Sequence, residues 1–524
     1  MSIHKKIAKN AVYNFLIKAI TLAFGFIASV VAARFLGPER YGVYSFVIWI
    51  LYIVGLLVNL GINTTITKYV SEYWGRNDFS AITSIFKKLF RFELLAGIVV
   101  SLLLFFFAPV IAQWYKNPEL SLYLKVAATV LLPLGLMWLY NGLFCGLQRY
   151  DLIATINLIV SPLTVGFILL VLYTTGKMEW LVAVSTITNI LLVISYIYLK
   201  RTKFDFMHVN LSTVDSPQST ENNLSGKLFK FSVSVFVILV LDAIVWERFG
   251  ILFLSIFSTP TEIAYYNVAF ILSSRTMILL PGALTGILLP AMSEVYGGGN
   301  REELARVHSN STRYLAMLSF PLCLGGIAIA NQFVPVLYGP SYQPAALLFI
   351  ILLIGGAVGS ISTSSSSLLY GTELQGIVVK VGILSALVNL GICRLTVPWW
   401  GAKGVALATA LAQALSGVTL MIYSYKKHMK QKFPKAGILR IFLASAMMAV
   451  VAFFLTLGFK GLLGVVLALI ISAPLYVIAL FFTRSLLPED LHLVEAALNR
   501  MPSSFSNRSR KILNWLVHSF YSKN

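Results

Sequence analysis

The 524-residue sequence predicts an all-α polytopic membrane protein with about fourteen transmembrane helices, arranged as two parallel six-helix repeats plus two extra C-terminal helices. Three observations predict it. The composition is 58% hydrophobic and 12% charged, with a mean hydropathy of +0.82, which makes lipid the solvent. Apolar stretches of the roughly 20 residues needed to cross a bilayer recur along the chain. The segment Ser71 Glu72 Tyr73 Trp74 Gly75 returns as Ser293 Glu294 Val295 Tyr296 Gly297, about 222 positions later.

Taken in order, the first repeat places spans near 10–34, 41–63, 90–112, 120–145, 152–174 and 178–199. The second places them near 229–257, 263–290, 314–337, 344–370, 377–397 and 401–425, and two more follow near 438–459 and 462–482. Phe35, Pro38 and Tyr44 recur as Phe257, Pro260 and Tyr266. Cys145 and Gly146 align with Tyr370 and Gly371, and Gly176 with Gly401, about 225 apart. Six spans per half is an even number, so both halves enter from the same side and the repeats are parallel, a common transporter plan with the substrate site near the midplane. The resulting division is 1–199 for the first lobe, 200–228 for a cytoplasmic linker, 229–425 for the second lobe, 426–483 for the extra helices and 484–524 for a basic tail.

Lys and Arg fit this arrangement. With the N-terminus inside, the loops bearing Lys87, Lys88 and Arg91, then Lys200, Arg201 and Lys203, then Arg301, Arg306 and Arg313, then Lys426 to Lys435 all face the cytoplasm. About 30 of the 41 basic residues then lie inside and about 7 outside. The net charge of +21 therefore reflects orientation against an anionic inner leaflet, with no nucleic acid as partner. Both termini are expected in the cytoplasm. The first span, although preceded by Lys5, Lys6 and Lys9, is too long for a signal-peptide core and is expected to be retained. In the tail, 488–499 reads as a short helix, and 511–521 sets Leu513, Leu516, Val517 and Phe520 on one face, which fits a surface-lying helix or an inert tail.

Chemistry-bearing motifs are few. Cys145, Cys323 and Cys393 lie far apart in apolar stretches and read as packing residues. No Asp-x-Asp, Gly-rich phosphate loop or His-Glu-x-x-His occurs, and the outer loops are too short to carry a catalytic domain, so no enzyme and no cofactor is expected. What remains are ionisable residues inside spans, each costing roughly 3 kcal/mol at mid-helix. Lys18 shares a helical face with Asn14, Thr21 and Gly25, which suits either a cation in a hydrated cavity or a snorkelling side chain. Arg275, with Asn267, Gly282 and Gly286 at compatible spacing, lies too deep to snorkel easily. Asp242, Glu247 and Arg248 fall centrally in the seventh span but not on one face; the carboxylates either pair with cations or carry a coupling ion. Asn59, Asn63 and Thr67 form a polar stripe, and Ser360 to Ser367 a hydroxyl run, each suited to sugar hydroxyls or to close helix packing.

At these residues the chain resembles a known family. The Asn14 helix, the turn from Phe35 through Leu36, Gly37, Pro38, Glu39, Arg40 and Tyr41 to Gly42, the Ser71 Glu72 segment and the fourteen-span plan resemble the O-antigen-type polysaccharide flippases of the multidrug/oligosaccharidyl-lipid/polysaccharide superfamily, relatives of the lipid II flippases. The resemblance covers essentially the whole chain. It implies a V-shaped, two-lobed bundle in the cell (cytoplasmic) membrane that moves a polyprenyl-diphosphate-linked glycan from the inner to the outer leaflet by alternating access. Membrane lipids, and a polysaccharide polymerase or glycosyltransferases, are the further partners it implies. By span rather than by motif, it assigns Lys18 and Arg275 to the diphosphate. From their place inside the spans, Arg248 is a weaker candidate for the head group, Asn14 and Asn63 are further substrate-binding candidates, and Asp242 and Glu247 are ion-coupling candidates. A drug antiporter of the same superfamily predicts an acidic cavity, and a non-transporting scaffold of a polysaccharide assembly complex predicts indifference to loss of these cations.

Overall fold

The computed structural model describes residues 3–204, 218–245, 247–279, 281–486 and 490, and every regular element among them is a helix. The first repeat comprises α1 (Ile3–Asn59), α2 (Ile62–Gly75), α3 (Phe79–Trp114), α4 (Glu119–Gly146), α5 (Tyr150–Thr174) and α6 (Met178–Lys203). The second comprises α7 (Gln218–Val245), α8 (Gly250–Phe257), α9 (Pro260–Leu279), α10 (Pro281–Gly297), α11 (Arg301–Tyr338), α12 (Ala345–Gly371) and α13 (Gln375–Ile422). A π-helical turn, Tyr423–His428, leads to α14 (Lys435–Gly458) and α15 (Gly461–Phe482). α7 begins at Gln218, so helix reaches back into the expected linker; 205–217 lie outside the described residues, as do the tail segments 488–499, save Asp490, and 511–521.

Eleven helices among the described residues are long and apolar enough to cross a membrane. Two of these are double. α1 breaks at Gly37 (φ 69°, ψ 172°), where Pro38 lacks an N–H and only glycine tolerates the positive φ without strain. α13 breaks likewise at Gly401 (φ 50°, ψ −128°), three residues after Pro398. Counted apart, and with α9 and α10 as one further span, these helices give the fourteen that the sequence predicts. Large apolar side chains stay exposed along the helices, among them Leu95, Phe106, Phe107, Leu395 and Leu462, as a lipid solvent requires.

The duplication is legible in backbone detail. Left-handed residues recur in pairs at nearly constant spacing: Asn77 with Gly299, Lys116 with Gly339, Gln148 with Glu373, and Gly176 with Gly401. Asp78 caps α3 by accepting from the Ala81 N–H at 2.9 Å; its counterpart Asn300 caps α11 by accepting from the Glu303 N–H at 3.1 Å. Arg40 donates to the Gly176 carbonyl at 3.0 Å. Glu262, the equivalent of Arg40, instead accepts from the Ala402 N–H beside Gly401.

By packing, the chain separates into two compact units, residues 1–268 with 390–405, and residues 269–389 with 406–524. In the first, α4 is the spine, packing most extensively on α3, α6 and α2. Its glycines set the spacing. A methyl group at Gly142 would meet Ile66 Cγ2 at 2.5 Å and the Asn63 carbonyl at 2.6 Å, and one at Gly146 would meet Val70 Cβ at 2.8 Å. Close approach lets α2 donate into the α4 backbone at three successive turns: Asn63 Nδ2 to the Trp138 carbonyl (2.7 Å), Thr67 Oγ1 to Gly142 (3.1 Å) and Ser71 Oγ to Gly146 (3.0 Å). The polar stripe read from the sequence is therefore bound to a neighbouring helix. α2 also meets α7, through the buried Thr65–Ser232 hydroxyl pair at 2.7 Å.

In the second unit, α11 takes the place of the spine, packing on α12, α14 and α15. The α4 motif repeats: a methyl group at Gly371 would meet Ser293 Oγ at 3.1 Å, the counterpart of the Ser71 to Gly146 contact. The hydroxyl run of α12 is likewise occupied. Ser360 bonds Ser319 at 2.9 Å, Ser364 donates to the His308 carbonyl at 3.1 Å, and Ser365 joins His308 Nε2 (3.2 Å) to Ser424 of the π-helical turn (2.8 Å). Past α15, Asp490 accepts two bonds from Arg313 (2.6 and 2.8 Å) and one from the Tyr314 hydroxyl (2.8 Å), a buried ion pair that fixes the chain after the last span to α11.

If the glycine spacing sets the α2–α4 contact, Gly142→Ala overpacks it and costs about 1–3 kcal/mol. Gly166→Ala on α5, where nothing lies within 4 Å of the added carbon, leaves stability unchanged or slightly raised. Thermal unfolding of the two purified variants in detergent measures the difference.

Candidate functional site

The seventh span reads from the sequence as one helix over 229–257, and the structure corrects this. α7 ends at Val245 and α8 starts at Gly250, with Glu247, Arg248 and Phe249 in the turn between them. The correction has a physical reason: two adjacent charged side chains in a continuous spanning helix would both be carried into apolar packing, whereas a break frees them to reorient. Non-helical backbone at membrane depth is tolerated only where protein buries it or it lines a cavity, and discontinuous helices of this kind build substrate and ion sites in transporters.

The break is tied to the first repeat by hydrogen bonds, all within the first compact unit. Arg248 Nη1 donates to Asn267 Oδ1 at 2.6 Å. The Asn267 amide, itself 3% exposed, donates to Ser45 Oγ at 2.9 Å and to the Tyr41 hydroxyl at 3.3 Å. Tyr41 and Ser29 complete the relay at 2.8 Å. Ser45 and Asn267 stand 222 residues apart, the spacing of the duplication, so the two copies touch here through equivalent positions. The backbones come close at the same place: Gly42 lies against the Pro260 carbonyl so tightly that no Cβ fits between them.

Around the break the charged residues gather. Asp242 stands on the last turn of α7, and Glu247 and Arg248 lie in the turn that follows it. Asp242 is exposed, while Glu247 and Arg248 are half-buried. Phe249 packs edge-on against Trp49, ring centroids 6.3 Å apart, and the buried Trp49 indole N–H has no hydrogen-bond partner among the described residues. The arrangement offers a guanidinium held from one side by an amide, two carboxylates and an unused N–H donor. Such a group offers hydrogen bonds to a polyhydroxylated ligand, with the guanidinium as its one cation.

The other predicted site residues fall elsewhere. Lys18 is exposed on α1, and the Asn14 side chain in the same helix lies outside the described residues. Asn63 holds α2 to the Trp138 carbonyl of α4. Arg275 lies half-buried on α9, in the second compact unit. Arg394, at the end of its span, sits over the Phe257 ring, 5.2 Å from its centroid. Among the described residues no group of three or more His, Cys, Asp or Glu could hold a metal ion.

Sequence reading misses Tyr41, Ser45 and Ser29, which carry no charge. The duplication gives a signal for Ser45, since aligning it with Asn267 marks a polar residue at one position in both copies. It also misses Glu93, which lies just past the basic cluster that opens the third span.

Comparison with known proteins agrees with this architecture. The chain is 25% identical over 212 residues to the probable low-salt glycan biosynthesis flippase Agl15 of Haloferax volcanii, covering 40% of this chain and 44% of that one. It is 21% identical over 429 residues to the lipopolysaccharide biosynthesis protein WzxC of Escherichia coli K12, covering 80% of each. Among solved structures, an inward-facing multidrug resistance transporter of the MATE family, in the MOP superfamily, matches with a TM-score of 0.61 at 13% identity, over 78% of this chain and 94% of that one; the likeness is one of fold. Residues 31–347, which include the broken seventh span and both members of the Ser45–Asn267 pair, match the family described as polysaccharide biosynthesis protein, and with more than half of its length so matched the chain belongs to that family.

Proposed function

We propose that this chain is a flippase that carries a polyprenyl-diphosphate-linked oligosaccharide from the cytoplasmic to the outer leaflet of the cell membrane, by alternating access and without a covalent step. The observation that carries the reading is the break in the seventh span. It holds the half-buried Arg248 guanidinium within the apolar bundle of a protein of a polysaccharide biosynthesis family, one of whose relatives is named as a probable glycan biosynthesis flippase. A diphosphate crossing lipid needs its charge balanced, while its polyprenyl tail stays in the bilayer.

In this reading Arg248, Lys18 and Arg275 balance the diphosphate, the guanidinium groups offering a fork and the lysine a point charge. Asn14 and Asn63 stand beside the substrate, and Asp242 and Glu247 carry counter-charge or a coupling ion at the break. Functionally, the chain divides along the duplication into 1–199 and 229–425, joined by 200–228, with 426–483 as added helices and 484–524 as a cytoplasmic tail. Both termini lie inside, where the basic loops meet anionic lipid. A polysaccharide polymerase or glycosyltransferases would use the glycan once it reaches the outer leaflet.

The test is leaflet assignment of a labelled polyprenyl-diphosphate oligosaccharide in vesicles holding wild type, Lys18→Ala, Arg248→Ala or Arg275→Ala. Wild type moves the label. Loss of a residue that balances the diphosphate slows it by about tenfold or more, the equivalent of 1.4 kcal/mol. Unchanged rates in all three variants remove the cationic site, and no movement by wild type with its native glycan removes the flippase reading.

The relay gives a second expectation. Asn267→Ala strips bonds from Arg248, Ser45 and Tyr41 together and destabilises the protein by about 1–3 kcal/mol, whereas Ser45→Ala, which removes one bond, costs about 1 kcal/mol. Thermal unfolding in detergent ranks the two.

A further inference from the structure

Glu93 lies on α3, three residues into the third span, and is 1% exposed. Both of its carboxyl oxygens are buried without a hydrogen-bond partner among the described residues. Packing does not explain it, because a leucine or glutamine would fill the place without a group that can carry charge. Its surroundings are apolar and close. Gly135 of α4 lies directly against Oε1, leaving no room for a side chain, and Val58 of α1 lies against the same glycine. One turn further along α3, Gly97 abuts Leu132 of α4, closing the contact from that side.

Among the described residues no charged group of α1, α2 or α4, the helices packed on α3, forms an ion pair or hydrogen bond with this carboxyl. On α3 itself the nearest charge in sequence, Arg91, is exposed. The other carboxylates of the spans differ: Asp242 is exposed, and Glu247 stands next to Arg248. A metal cation would need several oxygen ligands, and here one carboxyl stands alone. A proton needs one oxygen.

We propose that Glu93 is a proton-binding site built into the α3–α4 contact, loaded from the basic end of α3 and emptied only when that contact opens during the transport cycle. The chemistry is one carboxylate taking one proton and returning it. In the closed contact the ionised form would be a buried charge with no partner, which costs several kcal/mol, so the closed pair holds the acid form. If α4 moves aside, water reaches the carboxyl and the proton leaves. Proton loss and helix separation are thus one equilibrium, biased by pH at the side of α3 that bears Lys87, Lys88 and Arg91, about 3 to 9 Å of helix from Glu93.

The inference rests on the flippase reading for its transport consequence, and two measurements keep the two apart. In the leaflet assay, pH is varied on the side facing the basic end of α3 while the other side is held constant. Wild-type flipping rises with pH there, by up to about tenfold per unit, the limit for a single proton. E93Q, a neutral side chain of the same shape, becomes insensitive, and E93D keeps the response. A pH response in E93Q equal to that of wild type, or a response lost in E247Q or D242N instead, overturns the proposal. Separately, infrared spectra of the full-length protein at neutral pH are compared with those of E93Q. A protonated-carboxyl band present in wild type and missing from E93Q supports the site whether or not flipping is observed; its absence from wild type overturns it. Failure of wild type to move the glycan at any pH counts against the flippase reading and leaves the infrared result to decide Glu93.

Discussion

In hydrocarbon, an apolar helix face gains little by exchanging lipid for another helix, so association must come from close packing and from hydrogen bonds that lipid cannot supply. The contact of α2 with α4 meets both conditions. Glycines at 142 and 146 let the backbones approach, and Asn63, Thr67 and Ser71 then reach α4 carbonyls one turn apart. A side chain at either glycine would push the helices beyond hydrogen-bonding range. The spine built this way sets where α3 lies, and through Thr65 and Ser232 it bears on α7, the helix that ends at the break. The candidate site inherits its position from this contact between helices.

Much of this was legible in the sequence, for a physical reason. A spanning helix must be long and apolar, so its presence is written in a window of composition, and Gly–Pro steps such as Gly37–Pro38 mark where helices cannot continue. The break after Val245 is hidden from the same reasoning. Hydropathy averages over a window, and Glu247 and Arg248 are outweighed there by the apolar residues of α7 and α8. The Asn63 stripe was visible as a stripe, but its role depended on which helix lay opposite, and that is a tertiary fact. Glu93 shows the limit most plainly. One carboxylate near a run of lysines looks like the edge of a span, and only its burial against Gly135 distinguishes it from a surface residue.

Polar groups inside the bundle fall into two kinds. Some among the described residues are well satisfied: the α12 hydroxyls by His308 and the π-helical turn, Asn267 by three partners. Saturated groups make a membrane protein rigid and specific in its packing. A few are not, and these are the places where something from outside can still bind. The Trp49 N–H at the break and the Glu93 carboxyl belong to this second kind, one a donor and the other a group whose state depends on a proton.

The two copies of the repeat have also become chemically directional. At equivalent kinks, Arg40 grips a carbonyl in the first copy and Glu262 grips an N–H in the second. The backbone there presents opposite ends of its dipole, and each side chain matches only its own. Exchanging the two turns would set a guanidinium against an N–H and a carboxylate against a carbonyl. What began as a duplication can therefore no longer be cut and rejoined with its halves interchanged, and a chimaera assembled from two such proteins must take each kink together with the strand of chain it holds.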